Sequence, residues 1–165
     1  VIEQPNYSIS MLDEFIPQDT IPLNFVDLSE GGQIIHAWHD ENNSVFIELT
    51  LIDNALTNGD VDEFADAYLE ANLPESAGIR FVDENDDAED NSVRESFRLF
   101  EVDGVAPIQA PRNLTMSYPG QLDIFFVPRG SQVAIVKMYT SDVTGNLYVS
   151  RLQAILDSLR VKASA

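Results

Sequence analysis

The chain has 165 residues, 44% of them hydrophobic, and 28 acidic against nine basic side chains give it a net charge of −19 and an isoelectric point near 4.1. Such a surface repels phosphate backbones and anionic bilayers, so nucleic acid is not an expected partner. There is no cysteine, which excludes disulfides, thiolate zinc sites and cysteine nucleophiles, and no apolar run approaches the ~20 residues of a membrane helix.

The length suits one domain with its own core. A start at Val1 fits a chain whose targeting segment has been removed, or an arbitrary chain boundary. Residues 1–6 read as a leader and 7–165 as a single α+β domain. Tyr7-Ser8-Ile9-Ser10-Met11 alternates as a first strand, and Pro17, Pro22 and Gly31-Gly32 punctuate a loop-rich stretch around Leu23-Asn24-Phe25-Val26. Residues 33–39 and 44–52 form a hairpin across Asp40-Glu41-Asn42-Asn43. On its second strand Val45, Ile47, Leu49 and Leu51 share the face expected to meet the core. Asp60 caps a helix over 60–72, with Glu63 in capping-box position and Val61, Phe64, Ala65, Tyr68 and Leu69 on its apolar stripe; Asn72 and Pro74 close it.

Residues 78–82 are a short strand, 83–90 an acidic segment, and 92–102 a long strand with Val93, Phe97 and Leu99 on one face. Asp103-Gly104 is a two-residue turn. Pro107 and Pro111 mark loop or edge, and 114–118 is a further candidate strand. Residues 122–127 and 133–139 are strands flanking Pro128-Arg129-Gly130-Ser131, and their near-continuous apolar character predicts central strands covered on both sides. Tyr148, Leu152, Ile155, Leu156 and Leu159 make the stripe of a helix over 146–159. Runs of strands between two helices predict an α+β domain: a mostly antiparallel sheet of about six or more strands with two main helices packed on it.

The order of elements from about Tyr7 to Val161 resembles that of the PsbP/Mog1-like family, its bacterial lipoprotein-like relatives in particular. The best local match is 132–139 (QVAIVKMY), a loop, then 152–161 (LQAILDSLRV), similar to the family's strand, loop, helix and closing hydrophobic-x-Ser-hydrophobic pattern. Val102-Asp103-Gly104-Val105 is similar to its mid-chain hairpin. Family members often open with a Pro-x-x-Trp-like turn, whereas Pro17 here precedes Gln18-Asp19-Thr20 and the only tryptophan is Trp38. The resemblance implies an antiparallel sheet covered by helices, a binding or assembly role of the kind these proteins play toward photosystem parts or small GTPases, and no shared catalytic site.

Oxygen-bearing side chains alternate at Asp83, Asn85, Asp87 and Glu89, like the opening of a calcium loop. Ala88 stands where the sharp-turn glycine belongs and Arg94 where the closing glutamate belongs, and a solvated acidic loop is the competing reading. His36 and His39 are the only histidines and fall on opposite faces of a strand. There is no Gly-x-Ser-x-Gly elbow, and Gly31-Gly32 is no phosphate loop. Trp38, Phe125, Phe126, Tyr139 and Tyr148 are candidates to line a ligand groove between sheet and helix, or else to fill the core. Asn6, Asn42 and Asn113 begin short glycosylation-acceptor patterns.

The expected function is that of a non-enzymatic, extracytoplasmic binding or assembly module with a protein partner and no cofactor. The alternatives are a calcium-binding surface or adhesion module acting through 83–90, and a hydrolase whose carboxylates assemble only in space.

Overall fold

The computed structural model describes residues 2–3, 7–11, 15–18, 32–39, 45–52, 60–73, 77–86, 92–105, 107, 119–142 and 149–161. Its strands are β1 (Ile2–Glu3), β2 (Tyr7–Ile9), β3 (Ile16–Gln18), β4 (Gly32–His39), β5 (Val45–Ile52), β6 (Ile79–Asp86), β7 (Val93–Leu99), β8 (Gly120–Arg129), β9 (Gln132–Ser141) and β10 (Arg160–Val161). Its helices are α1 (Val61–Asn72) and α2 (Val149–Ser158). Seven strands form an antiparallel sheet in the order β3-β4-β5-β9-β8-β7-β6, and β1-β2-β10 form a small second sheet. The α+β class, the antiparallel pairing and both helices are as the sequence predicts. Ile2–Glu3, within the expected leader, pairs with β2, and β10 pairs with the other edge of β2.

The apolar hairpin β8–β9 runs from Gly120↔Ser141 to Arg129↔Gln132. Its turn is Gly130-Ser131 alone, with Gly130 at φ 62°, a conformation glycine takes without a Cβ clash. Pro128, expected in the turn, sits in the strand opposite Val133. Pairing between β7 and β8 ends at Val93↔Phe126, so Pro128 lies beyond the span where β7 would need its missing N–H. Asp103 and Gly104 turn the chain at φ 51° and 76°, with Val102 and Val105 bonded across them.

Both faces of the central strands are covered. Toward α1, Phe46, Leu99, Leu122, Ile124, Phe126, Val133, Ile135 and Tyr139 pack under Val61, Ala65 and Tyr68. Toward α2, Val45, Ile47, Leu49, Leu51, Ala134, Val136 and Met138 pack under Leu152, Ile155 and Leu159, with Ile9 and Phe15 beside them. The expectation that one face of β5 meets the core is thus half of the result, because Phe46, Glu48 and Thr50 on its other face are buried too. Glu48 stands opposite Lys137 in register, and Lys137 Nζ donates to Glu48 Oε1 at 3.0 Å with both side chains shut off from solvent. The Tyr68 ring covers the ammonium, its centroid 5.5 Å away.

The Asp60 carboxylate accepts from the amides of Asp62 and Glu63 at 3.0 and 3.3 Å, satisfying two orphan donors at the start of α1. Ser158 ties the end of α2 to the N-terminal strand, its hydroxyl accepting from the Ser10 amide at 2.8 Å. The sequence reading departs from the structure at 83–86, which is strand rather than loop: β6 pairs with β7 through Asp86↔Val93, with a bulge between Phe81 and Asp83. This is an edge strand exposed from Arg80 onward, so no apolar alternation is demanded of it, and charged side chains are what such an edge carries. The expected features at 23–26, 40–43, 58–59, 74, 87–90 and 114–118 lie outside the described residues.

A Cβ at Gly120 would overlap the Tyr139 ring and hydroxyl, which the tight hairpin core holds in place. Gly120→Ala is expected to cost about 1–3 kcal/mol through overpacking, measured by urea unfolding. An unchanged midpoint would mean that the ring moves aside freely.

Candidate functional site

On the α2 side the sheet changes character from one end to the other. At β5 and β9 the strands present apolar side chains to α2, whereas at β7 and β8 the same face carries Arg94, Ser96 and Arg98 beside Gln121, Asp123 and Phe125. A strand with one open face alternates, and here Val93, Glu95, Phe97 and Leu99 turn to α1 and the residues between them to this side. Between this polar patch and α2 lies a groove of about 380 Å³, walled by Arg94, Arg98, Asp123, Met138, Leu152 and Gln153. An adjoining cavity of about 420 Å³ shares Arg94, Phe125 and Gln153 and reaches Arg160.

Most of the groove's polar groups are already committed. Ser96 Oγ donates to Asp123 Oδ1 at 2.5 Å, and Gln121 Nε2 donates to both Asp123 oxygens at 3.0 and 3.2 Å. Arg98 holds Asp142 with two parallel bonds of 2.9 and 2.6 Å. This fork holds the Asp142 carboxyl below the usual aspartate range and pushes the Arg98 guanidinium up. Arg94 NH2 reaches Asp83 Oδ2 at 3.2 Å, but Arg94 Nε is buried without a hydrogen-bond partner. A buried donor left unmade costs about 1–3 kcal/mol. The Arg94 side chain as a whole is 34% exposed, so an entering carboxylate or carbonyl would meet the rest of its guanidinium, while Phe125 and Met138 offer apolar contact.

Of the expected groove aromatics, Phe125 edges the cavity, whereas Trp38, Phe126 and Tyr139 fill the core instead. Trp38 is buried in the core on the α2 side, whereas Phe126 and Tyr139 are buried in the core under α1, so the sheet separates them. The cavity wall takes Phe125, one residue from Phe126 and on the other face. Tyr148 lies outside the described residues. Of the alternating oxygen series, Asp83 faces Arg94 and pairs with it, Asn85 edges the second cavity, and Asp87 and Glu89 lie outside the described residues. The register sets His36 opposite Leu49 and His39 opposite Phe46; the His39 ring is 6.3 Å from Phe46 on the α1 side of the sheet, away from the groove. The sequence alone does not single out Arg94, Arg98 and Gln153 as groove residues. Their signal was the polar alternation Arg94-x-Ser96-x-Arg98 beside Gln121-x-Asp123, legible only once two strands are known to be neighbours.

No protein-family model matches the sequence, and no curated protein matches it significantly. Solved structures do. The solution structure of cyanobacterial PsbP (CyanoP) from Synechocystis superposes with a TM-score of 0.59 at 11% identity, over 95% of this chain and 87% of that one. The Saccharomyces cerevisiae Ran-binding protein Mog1p gives 0.54 at 9% identity, over 94% and 90%. A Pseudomonas aeruginosa protein of unknown function, described as a putative regulator, gives 0.50 at 13%, over 96% and 99%. An antiparallel sheet buried on both faces with one helix against each is a two-sided α+β domain. Its fold is the PsbP/Mog1-like one, as the order of elements in the sequence implies.

Because Asp142 ionises more readily in the folded chain than in the unfolded one, the pair stabilises the fold above the ordinary aspartate value of 3.8 and is lost as pH falls below it. In an NMR titration the Asp142 carboxyl is expected to have its midpoint below 3.8 and to return near it in Arg98→Gln. An equal midpoint in both proteins would show that the fork does not persist in solution.

Proposed function

We propose that this protein is a non-catalytic binding module that receives a segment of a protein partner in the groove between β7–β9 and α2. The observation that carries the reading is the partly exposed Arg94 guanidinium, held to Asp83 by one nitrogen, beside Phe125 and Met138 in a concave site whose other charged groups are largely paired. The groove chemistry suits an extended segment that places a carboxylate or carbonyl on Arg94 and an apolar side chain against Phe125 and Met138. Asp123, the groove carboxylate bonded to the Ser96 hydroxyl, is occupied by Ser96 and Gln121, which favours a recognition role over acid–base work. A neighbour of the same fold, Mog1p, is named for binding Ran, so the architecture serves protein recognition in that instance.

The setting we propose is extracytoplasmic. A cysteine-free chain is compatible with an oxidising compartment, and among the described residues no helix is long and apolar enough to cross a membrane. Fractionation of source cells, with the native N-terminus read by mass spectrometry, tests it; recovery in the cytoplasm alone would contradict it.

A photo-reactive benzoylphenylalanine at position 153, in the groove, is compared with one at position 70 on the exposed side of α1, both in source cells. The expected result is a discrete protein adduct from position 153 only, reduced about tenfold or more by Arg94→Ala, as loss of a charge-assisted hydrogen bond implies. The same adducts from both positions, or an adduct indifferent to Arg94→Ala in a folded protein, would refute the groove as the binding surface.

A further inference from the structure

On the opposite side of the sheet, the start of α1 overhangs the end of β6. The alternation of β6 sends Asp83 and Asn85 toward the groove and Glu84 and Asp86 toward α1. There Asp62, Glu84 and Asp86 each bring a carboxylate oxygen to within 4.8 Å of the others. Three exposed acids alone signify little. Behind them, directly opposite Glu84 in register, stands Glu95, only 7% exposed, with Oε2 buried and without a hydrogen-bond partner. Among the described residues no basic side chain pairs with any of the four. The neighbouring Arg94 projects to the other face and holds Asp83.

We propose that Asp62, Glu84 and Asp86, with the buried Glu95 carboxylate behind them, form a calcium site that fastens the first turn of α1 to the edge strand β6. A buried carboxylate beside three more is costly unless a cation or a proton neutralises it. The proton's share is visible. Burial, and then Glu84, Asp66, Asp62 and Asp86, push the Glu95 carboxyl up to about 7. Asp62 and Glu84 are raised as well, by burial first and then by their acidic neighbours, Asp86 foremost.

The ligand set is all oxygen and therefore suits a hard cation rather than zinc or copper. Three exposed side chains of unequal reach, with room for waters, suit calcium's flexible shell better than the near-ideal octahedron magnesium demands. The positive end of α1 opposes a cation with about half a unit charge, far less than four carboxylates supply. This site is distinct from the groove and independent of its reading.

The test is calorimetric titration of the chelator-treated protein with calcium chloride at constant ionic strength and pH about 8, where a group titrating at about 7 is ionised. One saturable site is expected, with a Kd of about 0.1–1 mM, the range of exposed extracellular calcium modules, and magnesium at least about tenfold weaker. Glu84→Gln and Glu95→Gln should each weaken calcium about tenfold or more while leaving the calcium-free protein as stable or more so, since each removes a repelled charge. Asp83→Asn should leave the affinity unchanged. Absence of saturation by about 10 mM, tenfold beyond the weak end of the range, would overturn the proposal. So would magnesium binding of equal strength, or an Asp83→Asn loss as large as that of Glu84→Gln.

Discussion

The structure turns on one buried ion pair, Lys137 to Glu48, at the seam between β9 and β5. Because the central strands are covered on both faces, neither charge has water to return to, and each offsets the cost of burying the other. Burial lowers the Lys137 pKa, and Glu48 acts in the opposite direction, favouring the charged form. The pair also fixes register. A slip of one residue between β5 and β9 would separate the charges and exchange the faces of Val45, Ile47, Leu49 and Leu51 with those of Phe46, Glu48 and Thr50. Tyr68 then closes the pair from above, and its edge-on contact with Phe126, 5.7 Å between centroids, couples α1 to β8.

From that seam outward the two sides of the sheet diverge. Under α1 the core extends across β8 to Leu99 and Phe97 on β7 and then meets the acidic row of Glu95 and Glu84. Under α2 the apolar cover is complete over β5 and β9 but gives way at β7 and β8 to Arg94, Ser96, Arg98, Gln121 and Asp123. A chain of net charge −19 thus concentrates two of its nine basic residues on one strand face, with Arg160 nearby. In the proposed role the contrast favours selectivity: an acidic exterior discourages indiscriminate anionic partners, while the groove offers a local guanidinium to a partner that fits.

The elements legible in the sequence were those whose apolar period is strong. The β8–β9 hairpin, the stripes of α1 and α2, the Asp60 cap and the Asp103-Gly104 turn all rest on local chemistry. What stayed hidden depended on neighbours. Glu48 reads as a solvent-facing position until Lys137 is placed opposite it. The acidic stretch reads in sequence as a loop with Asp83 and Asn85 in front; as a strand, its ladder with β7 and a bulge after Phe81 bring Glu84 and Asp86 to α1 instead. The groove aromatics show the same sensitivity to parity. Phe125 and Phe126 are adjacent in sequence, yet one edges a cavity and the other fills the opposite core, and only the register of β8 decides which.

The most direct measurement is a double-mutant cycle on the seam, read by urea unfolding of the wild type, Glu48→Leu, Lys137→Met and the double variant. If the sheet is sealed around a matched pair, each single substitution should cost about 3–5 kcal/mol by leaving one buried charge alone, and the double variant should recover most of that loss. Single losses below about 1 kcal/mol, as for a solvent-exposed pair, or losses that simply add in the double variant, would contradict a core built around these two charges.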